Sequence, residues 1–260
     1  MRENFFSQFY KVMQFALIVC FAQFCCFGAI FSFGEKPLSE VSATEVSAID
    51  VSATEAAPPA PASAEEHGGW ISLFDGKTLG CWQKHEEGGS GDVKVENGAI
   101  QLGMGVMSTG IQYVPADGAP FPKTGYEIEY IASRSLGTDF FAALTFPVGD
   151  SFCTFVNGGW GGTLCGLSSI DGMDASENNT SSYHGFKNNI WYVFRVRVTD
   201  RAIRVWLDDE PIIEASLKDR KISTRIEMEA YQPLGFASWV CEGRIKSIWY
   251  RTLSGEELAE

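Results

Sequence analysis

Alternation of apolar and polar residues with a period of two, interrupted by turn dipeptides, constrains this chain more than any other feature. The run IWYVFRVRVT at 190–199 sets Tyr192, Phe194, Val196 and Val198 on one side and Arg195 and Arg197 on the other. A strand with one buried face has this pattern. AIRVWL at 202–207 repeats it, and Asp208-Asp209-Glu210 supplies a turn before Pro211. In YEIEYIAS at 126–133, Tyr126, Ile128 and Tyr130 share a face opposite Glu127 and Glu129. VKVENGAIQL at 93–102 predicts a hairpin closed by Asn97-Gly98, a dipeptide that tolerates the positive φ angles of a two-residue turn. Further short apolar runs occupy 70–82, 109–114, 140–147, 151–156, 222–228, 234–240 and 244–251. No sustained helical period interrupts them. The expectation is an all-β sandwich of two antiparallel sheets spanning 68–260, long enough for a substantial core.

The preceding residues have a different character. In segment 1–34, Arg2 and Lys11 precede an uncharged run from Val12 to Phe33. That run is close to the roughly 20 residues that span a bilayer. Ser32-Phe33-Gly34 offers a small-x-small cleavage site, so the segment reads as a signal peptide or a retained signal anchor, and the protein as exported, periplasmic or extracellular. Segment 35–67 carries VSATE at 41–45 and 51–55 and then AAPPAPASAEE. Small residues, acids and prolines cannot bury enough surface to offset ordering entropy, which predicts a disordered linker. The net charge of −13 divides into +1 over 1–34, −6 over 35–66 and −8 beyond. An acidic body lacks the footprint for nucleic acid, and a membrane contact is expected only through segment 1–34 if it is retained.

Within the body, glycine concentrates in NGGWGGTLCGLSSIDGMDASENNTS at 157–181. Glycine lets a backbone take angles closed to other residues and lets a ligand approach it. Trp160, between two glycine pairs, is a candidate sugar-stacking platform. Asn157, Ser169 and Glu177 are candidate substrate-binding groups. Asp171, Asp174 and His184 are the candidate catalytic set. The competing reading is turn chemistry: Asp171-Gly172 is a turn dipeptide, and Asp174-Ala175-Ser176 fits a helix cap. Cys81, Cys153, Cys165 and Cys241 form no C-x-x-C pair, so a zinc site is not expected. Two disulfides or buried free thiols both fit an exported domain.

The order of phrases is also informative. GGWISLFDGKTLGCW, VENGAIQL, NNIWYVFRVRV with RVWLDDEPI, and GRIKSIWYRTL together resemble the 3-keto-disaccharide hydrolase family, over roughly residues 68–253. The resemblance implies a concanavalin-like jelly roll. It also implies action on 3-keto-glycosides: removal of the C2 proton, loss of the C1 oxygen substituent, then hydration. LGFASWVCEG departs from the family phrase before the last strand, so no family catalytic residue is carried across. The chemistry needs a base at C2, an acid at the leaving oxygen and a group that stabilises the enolate. Asp171 or Asp174 is expected as the base and His184 as the acid or stabiliser, with Trp160 on a sugar face. No cofactor is required, although two carboxylates and an imidazole could instead hold a divalent metal that polarises the ketone. The alternative function is a non-catalytic, lectin-like glycan-binding module, since this fold class serves both.

Overall fold

The computed structural model describes residues 69–86 and 88–258. Segment 1–34, the 35–67 linker, and with them His67, Cys20, Cys25 and Cys26 lie outside the described residues. Fifteen strands follow one another: β1 (Ile71–Ser72), β2 (Trp82–Lys84), β3 (Val93–Glu96), β4 (Ala99–Leu102), β5 (Ser108–Tyr113), β6 (Tyr126–Leu136), β7 (Ala143–Val148), β8 (Ser151–Gly158), β9 (Leu164–Ser168), β10 (Ser182–Tyr183), β11 (Tyr192–Val198), β12 (Ala202–Leu207), β13 (Glu210–Ser216), β14 (Gly235–Trp239) and β15 (Glu242–Thr252).

They pair antiparallel into two sheets. One has the order β13-β12-β11-β6-β15-β4-β3, with β1 added on β15; the other has the order β10-β9-β8-β7-β14-β5-β2. Both sheets combine early and late strands, as a jelly-roll sandwich requires. The longest ladder joins β6 to β15, so the chain closes by pairing its last long strand with a central one. At the opening phrase, Trp82 is buried and its indole N–H donates to the Leu73 carbonyl at 2.8 Å. A buried tryptophan needs such a partner.

The expected alternation is realised. Phe194, Val196 and Val198 are fully buried, and Tyr126, Ile128 and Tyr130 pack beside them in the core. The Asn97-Gly98 turn has φ of 52° and 77°, and Asp208-Asp209 has 49° and 67°. These are the paired positive angles that match strand twist in a tight hairpin. At Gly243 a Cβ would sit 1.8 Å from the Phe141 carbonyl oxygen, so only glycine lets the two backbones approach there.

Two expectations are corrected. Ile222–Met228 does not form a strand; a 3-10 helix covers Ile226–Tyr231. Ile226 is exposed while Met228 and Tyr231 are buried, a three-residue spacing that suits 3-10 geometry and not a pleat. Nor is 157–181 one loosened ribbon. β8 ends at Gly158, a tight helical turn covers Gly159–Gly162, and β9 then continues as a fully buried strand. The apolar Cys165 and Leu167 bind that piece into the sandwich, while Leu164 packs with Val156 and Ala175 on the other face. The four body cysteines are free thiols, with Cys81 partly exposed and the others buried. Burial pushes the Cys153, Cys165 and Cys241 thiols up to about 12, so they are inert small hydrophobes at neutral pH.

Candidate active site

Alternation along β8 and β9 assigns the two faces of the seven-stranded sheet. Cys153, Phe155, Cys165 and Leu167 point into the core. Thr154, Val156 and Ser168 point outward and form the floor of a cleft of about 230 Å³. Thr154 lies opposite Ser168 in register, and its hydroxyl bonds that of Thr145 at 2.9 Å. The floor residues are small and two of the three carry a hydroxyl, which leaves room above the sheet. Asp139, Phe140, Trp160, Arg225, Glu227, Met228 and Trp239 complete the lining.

One wall is built around Asp139, in the connection between β6 and β7. Its Oδ1 accepts the Phe140 N–H at 2.8 Å, and its carboxylate also receives the N–H groups of Gly161 and Trp160. The same carboxylate therefore fastens the turn that carries Trp160. That turn needs its glycines: Gly161 and Gly162 have φ of 91° and 105°, and a Cβ on Gly162 would meet the Thr138 carbonyl oxygen at 2.9 Å. Beneath it lies Arg134, buried to 5 % exposure. Arg134 donates to Asn188 Oδ1 at 2.7 Å, to the Phe186 carbonyl at 2.9 Å and to the Asp139 carbonyl at 3.2 Å, joining the β10–β11 and β6–β7 loops at the cleft's end. Burial raises the Asp139 carboxyl above its ordinary value, and this outweighs the backbone donors and the Arg134 charge, which act the other way.

The facing wall is a chain of charges. Arg225 is a bidentate donor to Glu227, with both contacts at 3.2 Å. It also pairs with Asp174, whose other oxygen accepts the Ser168 hydroxyl. The Arg225 hydrogen bonds hold the Glu227 carboxyl below its usual range. The cleft thus contains two carboxylates shifted in opposite directions beside a fixed guanidinium, a pattern that separates acid and base roles.

The candidates named from sequence fall in different places. Trp160 lines the cleft and is 47 % exposed. Asp174 stands behind it, bonded to the lining residues Ser168 and Arg225. Asp171 is not in the lining. It is the first residue of a tight Asp-Gly turn, with φ of 55°, and its carboxylate bonds Arg220 at 2.6 Å and the Lys221 N–H at 2.8 Å. His184 continues the inward-facing row of Cys165 through its N–H to the Thr163 carbonyl, and its ring lies 6.4 Å from the core residue Phe186. Desolvation lowers its pKa, favouring the neutral imidazole. Asn157 is fully buried on that same inner side. Ser169 is buried and tied by its N–H to the Ser223 carbonyl. Glu177 accepts the Asp174 N–H at 3.3 Å, a capping contact. The expected meeting of Asp171, Asp174, His184 and Trp160 therefore does not occur, because β9 separates the inner row from the outer face. Among the described residues, no group of three or more His, Cys, Asp or Glu side chains is arranged to hold a metal ion.

The model of the 3-keto-alpha-glucoside-1,2-lyase-like domain matches residues 69–254. The chain belongs to this family. It is a carbohydrate-active, hydrolase-like domain, and the match spans both sheets and every residue of the cleft. No curated protein matches the sequence at a significant level. Similar solved structures include a glycosyl hydrolase candidate from Parabacteroides distasonis ATCC 8503, at 14% identity and a TM-score of 0.47, covering 74% of this chain and 98% of that one. The Crh5 transglycosylase in complex with NAG is 12% identical with a TM-score of 0.49, covering 72% and 85%. The carbohydrate recognition domain of Emp47p is 14% identical with a TM-score of 0.46, covering 72% and 95%. Likeness at this level carries no residue role into the lyase-like domain.

Asp139, Arg225 and Glu227 were not among the sequence candidates. Asp139 lies in SLGTDFF, a short connection with no motif of its own. Arg225 and Glu227 lie in the run read as a strand, where alternation would have pointed them at solvent. The available signal was the concentration of charge in TRIEME, three residues ahead of Gln232-Pro233.

Proposed function

We propose that the lyase-like domain cleaves 3-keto-glycosides in this cleft by elimination and hydration. The observation that carries the reading is the pairing of a partly buried carboxylate, Asp139, with an ion-paired guanidinium, Arg225, across a small, hydroxyl-bearing floor. A ketone at C3 acidifies the C2 hydrogen. Asp139, more basic than a free carboxylate because it is desolvated, takes that proton. The electron pair shifts to the C3 oxygen, where Arg225, held by Glu227 and Asp174, stabilises the enolate. The enolate expels the C1 oxygen substituent, which leaves with the proton now on Asp139, and a 3-keto-glucal remains. Water then adds across C1 and C2, giving the free 3-keto sugar. Trp160 stacks on a sugar face, and Ser168 and Thr154 bond hydroxyls from below.

The test is product release from a 3-keto-disaccharide by the full chain and by Asp139→Asn and Arg225→Met. Loss of turnover in both, with the thermal midpoint retained, supports the reading. Sugar binding without turnover in the unaltered protein would transfer the cleft to a lectin-like role. The reading includes export, on the pattern of Arg2 and Lys11 before the uncharged run 12–33. Recovery of the protein solely from the cytoplasmic fraction would overturn that part.

A further inference from the structure

Eight non-glycine residues among those described have φ between 44° and 67°. Six are asparagine or aspartate: Asn97, Asp171, Asn189, Asp208, Asp209 and Asp219. Short polar side chains of this kind tolerate the left-handed region. The two exceptions are Trp160 and Val240. A bulky or β-branched residue there is an outlier, and such outliers cluster where function requires them. Core packing does not hold either side chain in place, since Trp160 is 47 % and Val240 43 % exposed. Trp160 lines the cleft, and Val240 directly follows Trp239, which also lines it.

The surroundings of Val240 indicate what it serves. Thr154 faces Ser168 on the cleft floor, Arg225 links Asp174 to Glu227, and Asp139 bonds the Phe140 N–H. Beyond Asp139, the Trp239 backbone N–H donates to the Phe140 carbonyl and the two rings lie 6.2 Å apart. Val240 donates to the Met107 carbonyl, and Met107 and Val106 are exposed beside it. Phe140 and Trp239 of the cleft lining thus lead, along the chain and through that backbone bond, to the exposed side chains of Val240 and Met107, and these four make up an apolar shelf. Exposed apolar surface adjoining a pocket marks a contact surface.

We propose that this shelf is an aglycone subsite, taking an apolar, aromatic leaving group in preference to a second sugar. The inference rests on the reading of the cleft as a glycoside site. A second sugar would present hydroxyls to Val240 and Met107, whose side chains have no hydrogen-bond donor to meet them, leaving the Trp239 indole N–H as the single donor among the three. An aromatic group loses no hydrogen bonds there, and its burial removes the shelf from water.

The experiment compares kcat/KM of the full chain on 2-phenylethyl 3-keto-glucoside and on a 3-keto-disaccharide. The leaving alcohol of the first is no better than a sugar hydroxyl, so a preference reports binding. The expected preference for the phenylethyl substrate is roughly ten-fold or more, the scale of a few apolar contacts. Val240→Asn places in the strained position a residue that accepts it. The preference should then fall about ten-fold while the thermal midpoint stays level or rises. Met107→Gln, an independent change on the same shelf, should lower the preference in the same direction. A disaccharide preference in the unaltered protein, or a preference unchanged by both variants, overturns the subsite. If neither substrate is turned over, the elimination reading fails, and binding decides the subsite alone. Phenylethyl glucoside binding about ten-fold tighter than methyl glucoside, with the difference lost in Val240→Asn, supports it; equal affinity refutes it.

Discussion

The outer faces of the two sheets both carry tryptophan and charge, and they use them in opposite ways. By the eight-stranded sheet three half-buried tryptophan rings each have a guanidinium over them. Arg195 and Arg197 lie 5.0 and 5.6 Å from the Trp206 ring, Arg244 lies 5.1 Å from Trp191, and Arg251 lies 5.2 Å from Trp70. Two of those arginines also neutralise Glu127, which is 1% exposed and accepts Arg197 Nε at 2.6 Å and Arg251 Nε at 2.7 Å. Cation, ring and carboxylate cover one another there. On the seven-stranded sheet the floor is Thr154, Val156 and Ser168, and Trp160 stays open above it. Aromatic content therefore does not mark a site. An uncovered ring over a small, hydroxyl-bearing floor does.

The largest effects should separate the two faces. Asp139→Asn should lower kcat/KM on a 3-keto-glycoside by about 10²–10⁴, the usual share of a general base, with little change in thermal midpoint. Glu127→Ala should do the reverse. It strands two arginines with a vacated buried position, so chemical denaturation should report a loss of about 3–5 kcal/mol. KM at temperatures where the variant is folded should be unaltered. If the Glu127 variant lost activity while folded, the division of labour between the faces would collapse.

The pH dependence sharpens the same contrast. Asp139 must lose its proton to act, and burial raises its pKa. The acidic limb of kcat/KM should therefore lie above the ordinary aspartate range near ~4. Stability carries the matching sign. A group whose folded pKa is raised contributes most below its unfolded value, and that contribution disappears as pH rises through the folded one. Over about pH 4 to 7, Asp139→Asn should thus lose less stability than the unaltered chain. An acidic limb at or below the free-aspartate value would exclude Asp139 as the base.

The tryptophans give a smaller, cleaner comparison. Trp160→Ala should weaken sugar binding by ~1–1.5 kcal/mol, read as a roughly ten-fold rise in KM, and leave stability level. Trp206→Ala, which uncovers Arg195 and Arg197, should lower the unfolding free energy and leave KM alone. Equal KM effects from both would mean that stacking on the open ring is not what binds the sugar.

The extent to which the sequence disclosed these faces follows from what sets each feature. Strands and hairpins are local: a period of two and the dipeptides at 97–98 and 208–209 placed β3, β4, β11 and β12 within a residue or two. Trp160 was legible for the same reason, since its flanking glycines announce an unusual backbone. Asp139 and Glu227 were not. They reach one cleft only because β7, β8 and β14 pair side by side, and that order is a long-range property no local pattern encodes. His184 misled in the opposite way. Its residue type promised chemistry, but its strand parity turns it to the inner side of β9, and parity relative to a neighbouring strand is not readable before pairing is known.

Asp171 provides the smallest expected effect and the sharpest check on that lesson. Chemically it is as good a base as Asp139, and it lies far nearer in sequence to Trp160. The difference lies in its surroundings. Its carboxyl is held below the usual value first by the Lys221 backbone N–H and then by Arg220, so it is a weakened base already engaged as an acceptor. A turn aspartate with φ of 55° is also replaceable by asparagine, which accepts the same angle and the same N–H. Asp171→Asn should therefore leave kcat/KM within about two-fold of the unaltered protein. It should remove only the small stabilisation that the Arg220 pair provides above the unfolded aspartate pKa, a contribution lost in any case as pH falls through the depressed folded value. Urea unfolding at neutral and at acidic pH would show the variant and parent converging on the acid side. A large fall in turnover would instead return the base to the Asp-Gly turn, and the cleft beside Trp160 would no longer account for the chemistry.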